Sequence, residues 1–546
     1  DANEEENGGP HRTRASRLGD IINSTPAYVG APDPLAFERS SWAGASQYKT
    51  FASQRASRRA MLYVAANDGM LHAFDAQTGE ERFAFIPSNA FSKLKGLSEA
   101  DFAHQFINDG SPAAAEIFDT ASSQWRTYVV GAQGRWGNQL YALDVTDPDS
   151  VTAASTKWEF SHPELGLLTG TPVIARLKSG SWAVLVGNGY NSDTEQAALF
   201  VIDVVTGALI RKIQAGKCSE TGCSNNGIAQ VTPWDEDGDG GVDFVYGGDL
   251  QGNLWRFDLS SSTPAEWNAS FGTSAVAQPF FRAMGPDGQA QPITSTVEVY
   301  QEPMSGKRWI SFGTGKFLGN SDLTSVRANT WYGLQDSYPS GLTSSPIKSR
   351  SDLARRQILV ESTSTSTADK TRVISAPGDT QGGEAVVSSK GSLLRKGWYL
   401  DLVPPSGLNQ GERITSGVQI FGNVLFAATM VPTAEACVPG GSGWLLAIDP
   451  YTGGRLSNNV FATRDPVSVG AEGSESQVWV SGVSVKSSPS SPILLRDYQL
   501  AGAPEITPVP GQSEALVGGT DTSTKREKLS LPDQIGRLSW RELIAD

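Results

Sequence analysis

MLYVAANDGMLHAFDAQTGE, residues 61–80, decides the fold. MLYVA and LHAFD are two short β-rich runs of strand length, read as strands of a period-two pattern. Between them NDG supplies a tight reversal in which Gly takes the positive φ. LHAFD ends in Asp, and Thr-Gly follows two residues later as a second turn. RFAFIP, 82–87, then supplies a further strand.

The same unit recurs along the chain. TYVVGAQGRWGNQLYALDVT (127–146) repeats it with a longer turn, and AVLVGNGYNSDTEQAALFVIDVVTGALI (183–210) repeats it again. FVYGGDLQGNLWRFDL (244–259), WISFGTGKFLG with TWYGLQD (309–336) and VLFAATMVPT with GSGWLLAIDPYTGGRL (424–456) complete six copies. KWEFS, 157–161, is an outer strand like RFAFIP; GDIINSTPAYVG (19–30) and GLLTGTPVIARL (166–177) read as innermost strands. One such unit cannot bury both faces, and stacking units around an axis does so. The expected fold is therefore all-β, a β-propeller of seven blades, with six or eight as alternatives. SQVWVSGVSV (476–485) helps to complete a further blade, and GRLSWREL (536–543) is the candidate closing strand. Residues 1–18 read as a polar linker and 19–546 as the propeller. Within it, 338–395 breaks the repeat as a Ser/Thr/Gly-rich insertion, with a short helix expected at SDLARRQIL, 351–359, capped by Ser351.

Charge narrows the function. The chain has 44 basic and 58 acidic residues, a net charge of −14. Nucleic acid is a poor main partner, because phosphate binding needs a basic footprint, and so is an anionic membrane surface. No stretch approaches the roughly 20 apolar residues of a membrane helix. The sequence opens at Asp1 without an apolar leader, which reads as a mature or excised domain. Cys218 and Cys223 flank a short turn suited to a small disulfide loop, with two free thiols as the alternative; Cys437 is the odd cysteine. The four scattered histidines and the lack of a CxxC pair give no zinc site.

The strongest chemical signal is DEDGDGGVD, 235–243. Asp235, Asp237 and Asp239 take positions 1, 3 and 5 of a D-x-D-x-D-G calcium loop, Gly240 makes the sharp turn, Gly241 offers its backbone carbonyl and Asp243 stands at position 9. Four aspartates within so short a loop repel one another, and a hard dication with oxygen ligands removes that repulsion. Position 12 is Tyr246 rather than Glu, and a strand follows at once, so this is the compact form of the loop and not an EF-hand. Ca²⁺ is expected over Mg²⁺, which keeps more water. The other constellations are weaker. His72, with Asp75 nearby, reads as a satisfied structural histidine, and His104 with Asp109 as a blade-joining polar pair. Trp136, Trp182, Trp255, Trp331 and Trp444 read as inter-blade packing.

Several of these segments, together with GWYLDL (397–402) and GERITSGVQIFGNVLFAATMVPT (411–433), resemble the PilC/PilY family of type IV pilus biogenesis factors, in family order and through nearly the whole chain. The resemblance implies a modified seven-bladed, quinoprotein-dehydrogenase-like propeller with one calcium loop whose ligands are Asp235, Asp237, Asp239, Gly241 and Asp243. It also implies a non-enzymatic, extracytoplasmic module at the pilus tip, cell surface or outer membrane. Its implied partners are minor pilins, the tip complex, and host or abiotic surfaces. Its implied roles are pilus extension against retraction, twitching motility, adhesion and virulence. Some members carry an RGD segment; this chain has none, RLGD at 17–20 not being equivalent. The competing reading is a quinoprotein dehydrogenase, which AFDAQTGE resembles; the adjacent cysteine pair of those enzymes is missing here.

Overall fold

The computed structural model describes Glu5 and residues 9–14, 16–216, 226–273, 276–362, 370–387, 394–433, 441–462, 464–470, 475–486, 493–500, 506–518 and 524–530. It divides into two compact units, Asp1–Gly247 with Trp255–Gln278, and Gly248–Leu254 with Pro279–Ala545. All six hairpins read from the repeat are formed, and the chain is an all-β propeller.

The first unit opens with three four-stranded antiparallel blades in sequential order. Blade 1 comprises Ala27–Val29, Met61–Ala65, Leu71–Asp75 and Glu81–Phe85; blade 2 comprises Ala113–Asp119, Gln124–Ala132, Gln139–Asp144 and Thr156–Ser161. Blade 3 runs Val173–Arg176, Trp182–Gly187, Ala197–Asp203 and Leu209–Gly216. The segments expected to be innermost, PAYVG and PVIARL, are edge strands of blades 1 and 3, and RFAF and KWEFS are the opposite edges of blades 1 and 2. Blade 4 is built on Ile228–Trp234, Phe244–Asp249 and Asn253–Asp258.

The period-two pattern sorts side chains between the two faces of each blade. Tyr128, Val130, Leu140 and Ala142 of blade 2 share one core with Trp182, Val184 and Val186 of blade 3. Their strand neighbours Val129, Tyr141 and Leu143 turn the other way, into a core with Tyr63 and Ala73 of blade 1. Likewise Ala183, Leu185, Leu199 and Val201 leave blade 3 on its second face to meet Val231, Val245 and Trp255 of blade 4. Central strands are thus apolar on both faces, each fully buried large side chain contributing about 1.5–3 kcal/mol.

The D-x-x-T-G signature is a capped turn. Asp75, Asp203 and Asp449 each accept two backbone N–H bonds through Oδ1, from Gln77 and Thr78, Val205 and Thr206, and Tyr451 and Thr452. The glycine that follows, Gly79, Gly207 or Gly453, has φ of 72°, 73° or 70° and donates to the carbonyl of the same Asp. Only glycine takes this left-handed backbone without strain.

In the second unit, Glu298–Gln301, Arg308–Gly313, Thr330–Asp336 and Gly397–Asp401 form one sheet, and Gln419–Phe421, Val424–Ala428, Gly441–Ile448 and Gly482–Lys486 lie in another. Trp309, Trp331 and Trp398 pack with Leu425 and Leu446 in its core. The stretch 338–395 feeds these sheets. Ala354–Arg356 pairs in parallel with Gly397–Asp401, and Ile358–Glu361 and Thr371–Ile374 join the other sheet. The helix expected at 351–359 is therefore corrected. Only Arg350–Asp352 makes a 3₁₀ turn, capped by Ser349 rather than Ser351. Beyond it, Ala354 and Arg356 are buried and Arg355 exposed, which is a strand alternation that sheet pairing enforces over a weak local propensity.

Six sheets of four or more strands stand among the described residues. Within 476–485, Ser476–Val478 pairs with Val467–Val469 while Gly482 onward joins the last large sheet. Ile493–Leu500, Ile506–Gly518 and Thr524–Leu529 form a separate three-stranded sheet. The proposed closing strand 536–543, Cys218, Cys223 and Cys437 lie outside the described residues. From the polar stretch 1–18, Arg12 donates from its backbone to Ser98 and from Nε to Leu97.

Candidate metal centre

The acidic loop joins Ile228–Trp234 to Phe244–Asp249, the first hairpin of blade 4. Strands flank it on both sides, as its missing position-12 Glu implies. Asp243 closes it: its amide donates to Trp234 O at 2.9 Å, and its Oδ2 accepts the Glu236 amide at 2.7 Å. Asp235 turns the chain by accepting the amides of Gly238 and Gly240, at 2.7 and 2.8 Å. Asp237 accepts from Asp239 N, and Asp239 accepts from Gly241 N. Gly238 and Gly240 carry φ of 75° and 81°, which lets so short a loop wrap.

Carboxylate oxygens of Asp235, Asp237 and Asp239 lie within 4.8 Å of one another. Asp243 is the most buried of the four, with a side chain 7% exposed against 62% for Asp237 and 50% for Asp239. Burial pushes the Asp235 and Asp243 carboxyls above the usual carboxylate range, against the amide bonds they accept. Asp237 is held below that range by the Lys178 ammonium. A Cβ at Gly241 would meet Asp239 Oδ1 at 2.9 Å and Lys178 Cδ at 3.0 Å, so a side chain here would push aside the Asp239 carboxylate or the Lys178 stem. An all-oxygen set of clustered carboxylates on a preorganised loop fits a hard divalent cation, and it offers no nucleophile or general base aligned with a partner.

Sequence reading missed the groups that approach from outside the loop. Lys178, on the turn after Val173–Arg176 of blade 3, places Nζ 2.8 Å from Asp237 Oδ1. Val242 N donates to Arg176 O at 2.9 Å, stitching the loop to the same strand. The Arg176 guanidinium lies 4.9 Å from the Trp42 ring centroid, and Trp42 packs in a cluster with Phe37, Trp125 and Trp182. A Cβ on Gly240 would stand 3.1 Å from Trp42 Nε1. The only available signal was topological: the loop's neighbour is the preceding blade.

The remaining candidates resolve as follows. His72 is buried between Glu81, 2.7 Å from Nδ1, and Asp68, 3.0 Å from Nε2, as a satisfied structural histidine. Asp75 is instead paired with Arg59 at 2.7 Å. The pair expected between His104 and Asp109 is corrected: His104 bonds Asp20 at 2.9 Å, and Asp109 accepts from Asn23, because the segment 19–30 lies across both. Trp182, Trp255, Trp331 and Trp444 are buried, while Trp136 is 60% exposed on the turn Gly134–Trp136 and packs between no blades.

Comparison with known proteins identifies the family and the fold. The family model of the PilY1 beta-propeller domain matches residues 18–372. A type IV pilus biogenesis factor PilY1 homolog of Xylella fastidiosa is 37% identical over 98% of this chain, and PilY1 of Pseudomonas aeruginosa strain PAO1 is 38% identical over 84%. In each case the chain spans 40% of the relative's length. The crystal structure of the Pseudomonas aeruginosa PilY1 C-terminal domain superposes with a TM-score of 0.72 at 32% identity, covering 93% of this chain and 100% of that one.

Proposed function

This chain belongs to the PilY1 β-propeller family, and we propose that it is a calcium-binding module of a type IV pilus biogenesis factor. The observation that carries the pilus role is the 37% identity to a named biogenesis factor over 98% of the chain. The module works outside the cytoplasm, at the pilus tip or cell surface, through minor pilins and the tip complex. Its contribution is to pilus extension against retraction, to twitching motility and to attachment to host or abiotic surfaces. It performs no catalysis of its own; its relatives are named as pilus biogenesis factors. No helix among the described residues is long and apolar enough to cross a membrane.

Calcium is supported by the three carboxylate oxygens within 4.8 Å of one another and by buried Asp243 beside them. Asp235, Asp237, Asp239 and Asp243 would hold the ion, with the Gly241 carbonyl. Bound there, Ca²⁺ supplies the positive charge that the clustered carboxylates lack. The loop's own amides keep those carboxylates oriented, and Val242 fixes it to blade 3.

The test is complementation of a strain lacking the parent protein. Full-length protein restores surface pili, protein lacking this region does not, and the Asp235→Ala/Asp243→Ala form restores them with altered twitching. A pull-down of minor pilins by the parent protein should differ with and without chelator. Normal piliation after removal of the region would overturn the pilus role. Wild-type twitching by the double variant would overturn the role of calcium.

A further inference from the structure

Lys178 belongs to blade 3, yet its ammonium sits among the carboxylates of blade 4. It lies 2.8 Å from Asp237 Oδ1, 3.0 Å from Asp239 Oδ1 and 3.1 Å from Asp243 Oδ1. Three N–H donors thus meet three carboxylate oxygens, the full donor capacity of an ammonium. The side chain is only 10% exposed, whereas lysine ordinarily keeps its charged end in water.

Its approach is built into the turn. Leu177 N donates to Ser181 O at 2.8 Å and Gly180 N to Leu177 O at 2.9 Å, which fixes the lysine's backbone. Gly241, without a side chain, leaves the path along which the lysine stem passes, since a Cβ there would lie 3.0 Å from Lys178 Cδ. Four carboxylates carry a charge of −4; the ammonium reduces this to −3 and a dication to −2. A dication held by Asp237, Asp239 and Asp243 would draw on the same three carboxylates that the ammonium contacts.

We propose that Lys178 is a built-in, exchangeable counter-cation of the acidic loop, displaced when calcium enters. The inference rests on the calcium reading of the loop. Without the metal, Lys178 keeps the loop folded and tied to blade 3. With it, the carboxylates turn to the dication and this tie between blades 3 and 4 is released. The apparent affinity is lower than the intrinsic one by the fraction of loops in which the lysine is disengaged. Metal occupancy is thereby read out as a change in contact between two blades.

Calcium chloride titrated calorimetrically into the chain and into its Lys178→Met form tests this, with Lys178→Gln as a second substitution. The expected result is calcium affinity about tenfold or more higher in both variants, the interactions given up being two ion pairs to half-exposed Asp237 and Asp239 and one to buried Asp243. Their calcium-free thermal midpoints should fall, and calcium should raise them by more than it raises that of the wild type. Acetylation of Lys178 in the wild-type chain, followed by mass spectrometry, should be several-fold faster in saturating calcium. Equal or weaker calcium binding by the variants, or calcium-independent labelling, overturns the proposal and leaves the calcium site standing. No binding by any of the proteins overturns both.

Discussion

Asp243 holds the Glu236 amide at 2.7 Å through Oδ2, so the same carboxylate that contacts Lys178 also locks the loop shut. Its two oxygens divide the work, since Oδ1 faces Lys178 at 3.1 Å. Asp243→Asn keeps an oxygen for the amide and removes the charge. The loop should stay folded, with an unchanged far-ultraviolet spectrum, while calcium affinity falls at least about tenfold, because charge count sets affinity in such loops. Calorimetry checks this, and wild-type affinity in the variant would remove Asp243 from the ligand set.

His72 gives a pH dependence. Burial alone would lower its pKa, but the bonds to Asp68 and Glu81 outweigh burial and raise it above its ordinary 6.5. Asp68 is shifted down from 3.8, its bonds to His72 and the Gly19 amide outweighing burial. A raised histidine stabilises fully below its unfolded pKa and loses that contribution as pH rises through its folded pKa. A lowered carboxylate stabilises above its unfolded pKa and loses it as pH falls. The pair is therefore at full strength between about pH 4 and 6.5. His72→Gln should lower the thermal midpoint most near pH 5 and clearly less at pH 9. A loss independent of pH would show that His72 is neutral in the folded protein.

Close backbone approach between blades should make one glycine irreplaceable. A Cβ at Gly170 would stand 1.9 Å from the carbonyl oxygen of Ala229 on blade 4, with no flexible side chain to yield. Gly170→Ala should cost about 1–3 kcal/mol, the range of an overpacked interior. Urea denaturation reads this, and an unchanged midpoint would contradict the packing of blades 3 and 4.

Much of this was legible in the sequence. Short apolar runs such as LYVAA, Asp-x-x-Thr-Gly turns and glycine reversals located the six repeat hairpins, because each is a local property of nearby residues, whereas the hairpin of Ile358–Glu361 with Thr371–Ile374 was not read. The acidic loop itself was legible for the same reason, its residues being consecutive. Trp136 misled because the repeat fixes its position but not its face. The helix expected at 351–359 failed because Ala354–Arg356 is shaped by pairing with Gly397–Asp401, far along the chain. Lys178 and Trp42 were invisible as site neighbours because only the stacking of blades brings them to the loop.

In the second unit, Arg372 and Glu412 form a buried pair at 2.7 Å, each side chain 1% exposed. Arg372 also bonds Glu361 and lies 3.9 Å from the Trp444 ring centroid, and Thr429 Oγ1 donates to Glu412. Arg372→Ala leaves the Glu412 carboxylate uncompensated and should cost about 3–5 kcal/mol. Arg372→Met with Glu412→Gln should recover much of that loss, since no buried charge then lacks a partner. Chemical denaturation of the two variants decides, and equal losses in both would contradict the charge argument.

The most direct test of the account is a calorimetric titration of calcium chloride into the chain and into its Asp235→Ala/Asp243→Ala form. The expected result is one saturable site in the wild type and none in the double variant. Equal binding by the two proteins, or no binding by the wild type, would contradict the assignment of the Asp235–Asp243 loop as a calcium centre.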